Sequence, residues 1–190
     1  MTRHHNKRLD RFGPASRSRP VNRSVSRSEG RVRMGIVKSE NEYVFKVTLK
    51  GSRHVSRTIA LRGDQTLDDL HEVIFAAFDR FDAHLYSFYF PKAPTRRGTA
   101  GPKPKEYTAP QMFDEPDPFD DEGRFDAAET KLDDLRLKPA QKFEYLFDFG
   151  DSWWHEGTVE AVNPSVPRAR YPQIRESRGK SPPQYEAVDE

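Results

Sequence analysis

The clearest pattern in the chain is an alternation of hydrophobic and polar residues between positions 41 and 62. In the segment NEYVFKVTLK, the residues that share one face are Tyr43, Phe45, Val47 and Leu49. This period of two is typical of a strand with one buried side. A second alternating run, VSRTIALRG, begins at Val55 after the four residues GSRH. Two such runs joined by a short segment predict a β-hairpin.

The hydrophobic period changes to that of a helix after residue 65. Thr66 is suited to be the N-cap, and Asp69 follows three residues later, as in a capping box. The residues that then recur at helical spacing are Leu67, Leu70, Ile74 and Phe78. These features predict an α-helix over 66–79. The aromatic segment HLYSFYF, residues 84–90, predicts a third strand.

A second predicted hairpin surrounds residue 150. The segment QKFEYLFDFG has one aromatic face, which consists of Phe143, Tyr145, Phe147 and Phe149. The segment WWHEGTVEAV, residues 153–162, is expected to return antiparallel to it. Gly150 is expected to permit the turn, and Asp151 to fix it by hydrogen bonds to nearby amides. Because successive strand residues point to opposite faces, Trp153 and Trp154 are predicted on opposite sides of the sheet.

The order of these elements predicts an α+β fold. We expect an α/β roll, a mostly antiparallel sheet covered by one helix, with a β-grasp-like start. The domain is predicted over 34–162. An insert at 91–124 interrupts it, and the seven prolines of this insert argue against helix and strand. Every charge from Glu106 to Glu122 is negative, and we expect the insert to be mobile.

Two further segments flank the predicted domain. Residues 1–33 are rich in serine and arginine, and we predict that they are disordered because they can bury little apolar surface. Residues 163–190 contain five prolines and are predicted to be extended and irregular. Val166, Tyr171 and Ile174 are the residues through which this tail is expected to pack on the domain.

Charge is distributed unevenly along the chain. Residues 1–33 have nine arginines and Lys7 against Asp10 and Glu29, a net charge of +8. Because the whole chain carries +2, the remaining 157 residues carry −6. Arginines neutralise phosphates without reading bases, so this basic arm predicts contact with nucleic acid; a solubilising tail is the alternative. The arginines assigned to the contact are Arg17, Arg19, Arg23, Arg27, Arg31 and Arg33.

Composition excludes several other classes of protein. The chain has no cysteine, so it forms neither disulfides nor thiolate metal sites. No apolar run approaches the roughly 18 residues of a membrane span, and no apolar segment follows the basic N-terminus as in a secretory signal. We therefore expect a cytoplasmic protein without membrane contact. Apolar residues make up only 34% of the chain, so a large part of it is expected outside the core.

The patterned segments resemble a known family. The sequences YVFKVTLKGS, RTIAL, TLDDLHEVI and HLYSFYF, followed by FEYLFDFGDSWWHE, are similar to the plasmid ORF-three-like family. This family takes its name from an open reading frame of an Agrobacterium root-inducing plasmid. The resemblance covers about residues 42–161, and GKSPPQY is similar to the family's proline-rich segment. It implies an α+β domain without a settled biochemical role, in some members associated with mobile elements.

The polar residues that could carry chemistry lie mainly near the second hairpin. They are His71, His84, Asp148, Asp151, His155 and Glu156. Imidazole and carboxylate groups suit a divalent metal or general acid–base work. The chain has no HExxH or HxxxH motif, however, and only folding could close the gap of 13 residues between His71 and His84. The pattern therefore favours a structural role for these groups, with no metal and no cofactor.

Three functions remain open from the sequence. The first is a binding module without catalytic activity, associated with a plasmid or mobile element, whose basic arm contacts nucleic acid. Its candidate binding residues are Trp153, Trp154, His71 and His84. The second is a metal-assisted hydrolase that uses Asp148, Asp151 and His155 as catalytic residues. The third is an adaptor whose acidic insert, residues 106–122, binds another protein.

Overall fold

The computed structural model describes residues 39–92, 102–113 and 123–185. The basic arm and most of the acidic insert lie outside these residues. The described part contains one α-helix, α1 (Leu67–Ala77), and eight strands. The strands are β1 (Asn41–Leu49), β2 (Ser56–Arg62), β3 (Tyr86–Phe90), β4 (Lys105–Thr108), β5 (Arg124–Asp126), β6 (Lys142–Phe147), β7 (Trp153–Pro164) and β8 (Gln173–Arg178).

All eight strands form one mixed sheet. Their order is β5-β4-β3-β6-β7-β1-β2-β8, in which β4 and β5 are parallel and every other neighbouring pair is antiparallel. The predicted α+β class is therefore confirmed, whereas the roll with its β-grasp-like start stays a prediction. The two predicted hairpins are both present, and β1 joins them because it pairs with β7 as well as with β2.

The core lies between α1 and one face of the sheet. Alternation along the strands places the buried aromatic residues on this face, where Tyr145 lies opposite Phe88 on one side and opposite His155 on the other. From the helix, Phe75 packs edge-on against Phe147, with ring centroids 5.5 Å apart. The four residues of the predicted apolar helix face, from Leu67 to Phe78, are all buried. The hydrophobic effect acting on this single layer therefore holds the helix against the sheet.

The predicted capping box is confirmed at the start of α1. The Thr66 hydroxyl accepts a hydrogen bond from the backbone N–H of Asp69 at 3.1 Å, and the Asp69 carboxylate accepts one from the backbone N–H of Thr66 at 2.8 Å. These bonds satisfy amides that the first helical turn leaves without partners. The helix extends over Leu67–Ala77, slightly shorter than the 66–79 predicted.

Removal of this cap should measurably destabilise the protein. We expect Thr66→Ala to lower the free energy of unfolding by about 1 kcal/mol, because an amide of the first turn loses its acceptor. Thr66→Ser keeps the hydroxyl and should remain close to wild type. Urea unfolding followed by circular dichroism measures both variants, and equal stabilities for the two would contradict the role of the hydroxyl.

Two segments predicted to lack regular structure contain strands. Within the proline-rich insert and at its end, β4 adds to β3 and β5 adds to β4; residues 105–108 and 124–126 themselves contain no proline. Within the tail, β8 pairs with β2. The predicted contacts of the tail were only partly right: Val166 and Ile174 are exposed, whereas the Tyr171 hydroxyl donates a hydrogen bond to Glu42 at 2.5 Å.

Candidate functional site

A cleft lies where the first half of α1 faces the start of β3. It has a volume of about 460 Å³, and we call it the histidine cleft. Its walls come from α1, from the loop before β3 and from the short helical turn at residues 110–113. The polar residues that line it include Asp68, His71, Glu72, His84 and Gln111, together with Tyr86.

The floor of the histidine cleft is a hydrogen-bonded group of aromatic side chains. The ring of His71 stacks on that of Tyr86, with centroids 3.7 Å apart and planes 8° from parallel. Nδ1 of His71 shares a hydrogen bond of 2.7 Å with the Tyr145 hydroxyl. The Tyr86 hydroxyl donates to a carboxylate oxygen of Asp68. Helix and sheet are thus linked through polar as well as apolar contacts.

Burial controls the protonation of this floor. It lowers the pKa of His71 from 6.5 to about 3, so the imidazole is neutral at pH 7. Burial and the hydrogen bond to Asp68 raise the pKa of Tyr86, and burial raises the pKa of Tyr145 well above 10. A group serves best as a general acid or base when its pKa lies near the working pH. Because the pKa values of these three groups lie far from 7, each group keeps one protonation state and acts as a fixed hydrogen-bonding group.

The rim of the cleft contains a second histidine. Nε2 of His84 lies 3.0 Å from the Tyr185 hydroxyl, 3.5 Å from an oxygen of Asp82 and 3.6 Å from an oxygen of Asp148. The Tyr185 hydroxyl itself donates to Asp82 at 2.7 Å, and this bond raises the pKa of Tyr185 to about 12. His84 thus connects the loop before β3 with the hairpin turn and with the C-terminal segment.

The C-terminal segment SPPQY, residues 181–185, is fastened to the loop after α1, and we call it the C-terminal clasp. The Gln184 side chain accepts hydrogen bonds from the backbone N–H groups of Phe81 (3.0 Å) and Asp82 (3.1 Å), and it donates one to the Asp82 carbonyl (2.9 Å). Only 2% of Gln184 is exposed. One buried amide therefore satisfies three backbone groups, which fixes the clasp beside the cleft.

The β6–β7 turn differs from the prediction in the residue that fixes it. Oδ1 of Asp148 accepts hydrogen bonds from the amides of Gly150 (2.9 Å) and Asp151 (3.2 Å), so Asp148 fixes the turn and Asp151 is an exposed residue within it. The positive φ angles fall on Asp148 (59°) and Ser152 (56°). Because Asp148 leaves the strand conformation, the alternation ends, and Phe149 is 41% exposed instead of buried.

The two tryptophans lie on opposite faces of the sheet, as predicted. Trp153 packs at the edge of the core, where the guanidinium of Arg80 lies 3.7 Å from its ring centroid. Trp154 is on the other face, 5.7 Å from the ring of Tyr89 and 4.9 Å from Nζ of Lys50. Each tryptophan therefore has a basic neighbour, and the quadrupole of the aromatic ring attracts a cation placed near its face.

His155 lies inside the core instead of at the cleft. Its ring packs edge-on against Phe78, with centroids 4.7 Å apart, and lies 5.3 Å from Tyr145. Nδ1 is 3.0 Å from the Trp153 carbonyl oxygen. Burial, together with the charge of Arg80, lowers the pKa of His155 from 6.5 to about 3. The imidazole is therefore neutral at pH 7, with the proton on Nδ1 where it donates to the carbonyl.

The structure thus divides the predicted polar cluster. His71, His84 and Asp148 meet in or beside the histidine cleft, whereas His155 lies behind Tyr145 and Asp151 is in the exposed turn. Glu156 is exposed on β7. Across residues 39–92, 102–113 and 123–185, no three acidic or histidine side chains come together as a metal site would require.

Sequence reasoning did not identify Tyr86 or Tyr145 as site residues, nor Arg80 as the residue that packs on the candidate binding residue Trp153. The signal for the two tyrosines was their position in the aromatic rows of predicted strands, where most of their neighbours are phenylalanine. A buried hydroxyl needs a hydrogen-bond partner, so tyrosine at such a position indicates a polar group nearby. Arg80 gave no comparable signal, because a basic residue just after a helix is commonplace.

Comparison with known proteins gives the family of this domain. Residues 41–186 match the model of the plasmid pRiA4b ORF-3-like protein family. The chain belongs to this family. The match begins with β1 and continues through β8 and the C-terminal clasp, so it includes residues 42–161 and the segment GKSPPQY, on which the resemblance seen in the sequence depended. The clasp is therefore part of the shared domain.

The relatives carry no stated activity. The chain is 30% identical over 131 residues to the uncharacterized protein y4hQ of Sinorhizobium fredii, an alignment of 68% of this chain that spans only 58% of that relative's length. The fold of our chain is similar to the crystal structure of a protein of unknown function from Methanosarcina mazei Go1. That likeness has a TM-score of 0.58 and 24% identity over 77% of this chain and 74% of the other.

In the described residues of our chain, the α-helix is too short to cross a membrane.

Proposed function

We propose that this protein is a binding module without catalytic activity, which attaches to nucleic acid through its basic arm. The observation that carries the proposal is the separation of charge along the chain. Residues 1–33 carry +8, and the remaining residues carry −6. Such an arm attracts the phosphate backbone electrostatically, whereas an acidic domain repels it. Attachment to nucleic acid is therefore assigned to the arm alone.

The histidine cleft supports a role in binding over a role in reaction. His71 has a pKa of about 3, and the pKa values of Tyr86 and Tyr145 are raised above their ordinary value of 10. None of these groups changes protonation near pH 7, as acid–base catalysis at that pH requires. The cleft instead presents fixed hydrogen-bonding groups and acidic side chains, among them Glu72, to a partner.

The alternative of a metal-assisted hydrolase finds less support. Asp148 uses one carboxylate oxygen to bind two turn amides, and His155 is enclosed between Phe78 and Tyr145. Asp151 is in the exposed turn. Stoichiometric zinc or manganese in the purified protein, with a rise in melting temperature on adding that metal, would favour the hydrolase instead.

The arm can be tested by neutralising its charge in the full-length protein. We expect that changing Arg17, Arg19, Arg23, Arg27, Arg31 and Arg33 to glutamine will abolish most of the affinity for duplex DNA. If all six contact phosphates, the slope of log affinity against log salt should become less steep by about 5, because each neutralised phosphate contributes about 0.9. Filter binding at 50–200 mM salt measures this slope.

The matched control replaces the same six arginines by lysine. Phosphate neutralisation depends on charge, so the lysine variant should keep most of the affinity and of the salt dependence. If wild-type affinity is independent of salt, or if the glutamine variant binds as tightly as wild type, nucleic-acid binding by the arm is wrong.

A further inference from the structure

The histidine cleft contains two carboxylates that have no cationic partner among its walls. Asp68 and Glu72 both line the cleft, and they stand four residues apart on α1. Residues at this spacing lie on one face of a helix, with Cβ atoms about 6 Å apart. The described residues that line the cleft include no lysine and no arginine. The cleft therefore has a local excess of negative charge that a bound cation would neutralise.

Both carboxylates have oxygen atoms available to a ligand. The Tyr86 hydroxyl donates to Oδ1 of Asp68, and no hydrogen bond between described residues uses Oδ2. The side chain of Glu72 is 71% exposed. Two carboxylates on one helix face suit a guanidinium, because its planar array of N–H groups can donate to several oxygens at once, whereas an ammonium is a point charge. The acidic wall therefore favours arginine over lysine.

A buried nitrogen at the floor of the cleft also lacks a partner. Only 7% of His71 is exposed, and its Nε2 has no hydrogen bond to any described residue. Oε1 of Glu72 is 3.9 Å from this nitrogen, which is beyond hydrogen-bond distance. Nε2 of His155 is unpaired too, but it is fully enclosed by protein, whereas His71 lines the cleft. Nε2 of His71 is therefore within reach of a ligand.

The hydrogen bonds of the floor determine what this nitrogen offers. Within the described part of the chain, the buried Tyr145 hydroxyl has one hydrogen-bond partner, Nδ1 of His71 at 2.7 Å. The hydroxyl proton needs an acceptor, so Nδ1 accepts and the neutral imidazole carries its proton on Nε2. Nε2 is thus a donor that requires an oxygen. A cation alone supplies no such oxygen, but a peptide supplies one through its backbone carbonyl.

The remaining walls suit the aliphatic part of an arginine. Leu85, which is 37% exposed, and Pro110 both line the cleft. The methylene stem of an arginine packs on apolar surface of this kind while its charged end remains with polar groups. The volume of about 460 Å³ lies within the roughly 300–1,000 Å³ of small-ligand sites. The cleft therefore has room for an arginine side chain and part of the adjoining backbone.

We propose that the histidine cleft binds an arginine side chain on an exposed peptide segment of a partner protein. Asp68 and Glu72 accept hydrogen bonds from the guanidinium, and Nε2 of His71 donates to a backbone carbonyl of the same segment. This inference rests on the binding role proposed for the cleft and names the chemical class of its partner. It does not depend on the attachment of the basic arm to nucleic acid.

Short peptides test the proposal on the full-length protein. The probe is glycyl-arginyl-glycine with both termini capped, so that the guanidinium is its one charge. We expect saturable binding in titration calorimetry. The same peptide with citrulline, a neutral isostere of arginine, should bind at least tenfold more weakly. Agmatine has the guanidinium and the stem but no carbonyl, and it should also bind more weakly than the arginine peptide.

Variants connect this binding to the cleft. Glu72→Gln keeps the size of an exposed side chain and removes its charge, so it should weaken binding of the arginine peptide about fivefold, the upper end for a partly exposed ion pair. Glu160→Gln, at an exposed position of β7, changes the net charge equally and is the matched control. In protein with ¹⁵N-labelled histidine, the Nε2–H signal of His71, assigned through its contact with the Tyr86 ring, should shift on titration.

Three results would overturn the proposal. The arginine and citrulline peptides could bind equally or not at all, or Glu72→Gln could bind the arginine peptide as tightly as Glu160→Gln. Agmatine could also bind as tightly as the peptide without a shift of the His71 signal in either titration, which would exclude the carbonyl contact. Filter binding of duplex DNA by the same variants reports on the arm separately, because the six arm arginines are unchanged.

Discussion

Lowering the pH from 6.5 towards 3 is expected to cost the protein most of its stability. His71 and His155 each have a folded-state pKa of about 3 against an ordinary value of 6.5. Between these values the unfolded chain binds more protons than the folded one. Stability is therefore complete above pH 6.5 and falls as the pH is lowered, by about 1.4 kcal/mol per pH unit for each histidine.

The two contributions together rival the whole folding free energy of a typical domain, about 5–15 kcal/mol. Urea unfolding between pH 7 and pH 4 measures the slope. His71→Gln and His155→Gln each remove one titrating group and should each flatten the slope by about 1.4 kcal/mol per pH unit. His54→Gln, at an exposed histidine, is the matched control. A wild-type slope that neither core variant changes would contradict the burial of neutral imidazoles.

Gly157→Ala is expected to destabilise the protein by about 3 kcal/mol, the upper end of the usual cost of overpacking a core. Gly157 lies opposite Phe143 in the β6–β7 pair, and a Cβ there would come within 2.1 Å of the phenyl ring. The ring has little room to move, because Phe45, Phe88 and Phe90 surround it with centroids 5.2–6.0 Å away. Urea unfolding at pH 7 measures the loss.

A double-mutant cycle with Phe143→Leu tests the cause of this loss. The smaller side chain leaves space above residue 157, so Gly157→Ala should cost much less in the Phe143→Leu background than in wild type. Glu160→Ala, at an exposed position of the same strand, controls for a general effect of alanine in β7. Additive effects of the two core changes would show that the ring is not what excludes a side chain at 157.

Much of the fold could be predicted because its signals are local. The alternation of residues 41–62, the capping box at Thr66 and the helical spacing up to Phe78 each depend on neighbours within a few positions. All three correspond to elements of the structure. The strands that were not predicted, β4, β5 and β8, are short or charged, and both β4 and β8 directly follow a proline. They form because an edge of the sheet is available to pair with them, and the sequence alone does not reveal that edge.

The β6–β7 turn shows a limit of local reasoning at the site itself. Asp148 and Asp151 are both suited to bond turn amides, and a pattern of residue types does not distinguish them. Asp148 is the residue that bonds the turn amides because its backbone adopts a positive φ, and its own amide bonds to the carbonyl of Leu85 on another segment. A contact 63 positions away in the sequence thus decided which acid holds the turn and which is exposed.

The residue pattern along the chain was sufficient to predict the α+β class, the helix with its cap, the two hairpins, the family resemblance and the separation of charge. It was not sufficient to show that His71 and His84 share a cleft while His155 lies with Arg80 and Trp153 in the core. The difference comes from the range of the interactions involved. Backbone periodicity and capping arise from nearby residues, whereas burial, pKa and hydrogen-bond pairing depend on groups that only the folded sheet and the C-terminal clasp bring together.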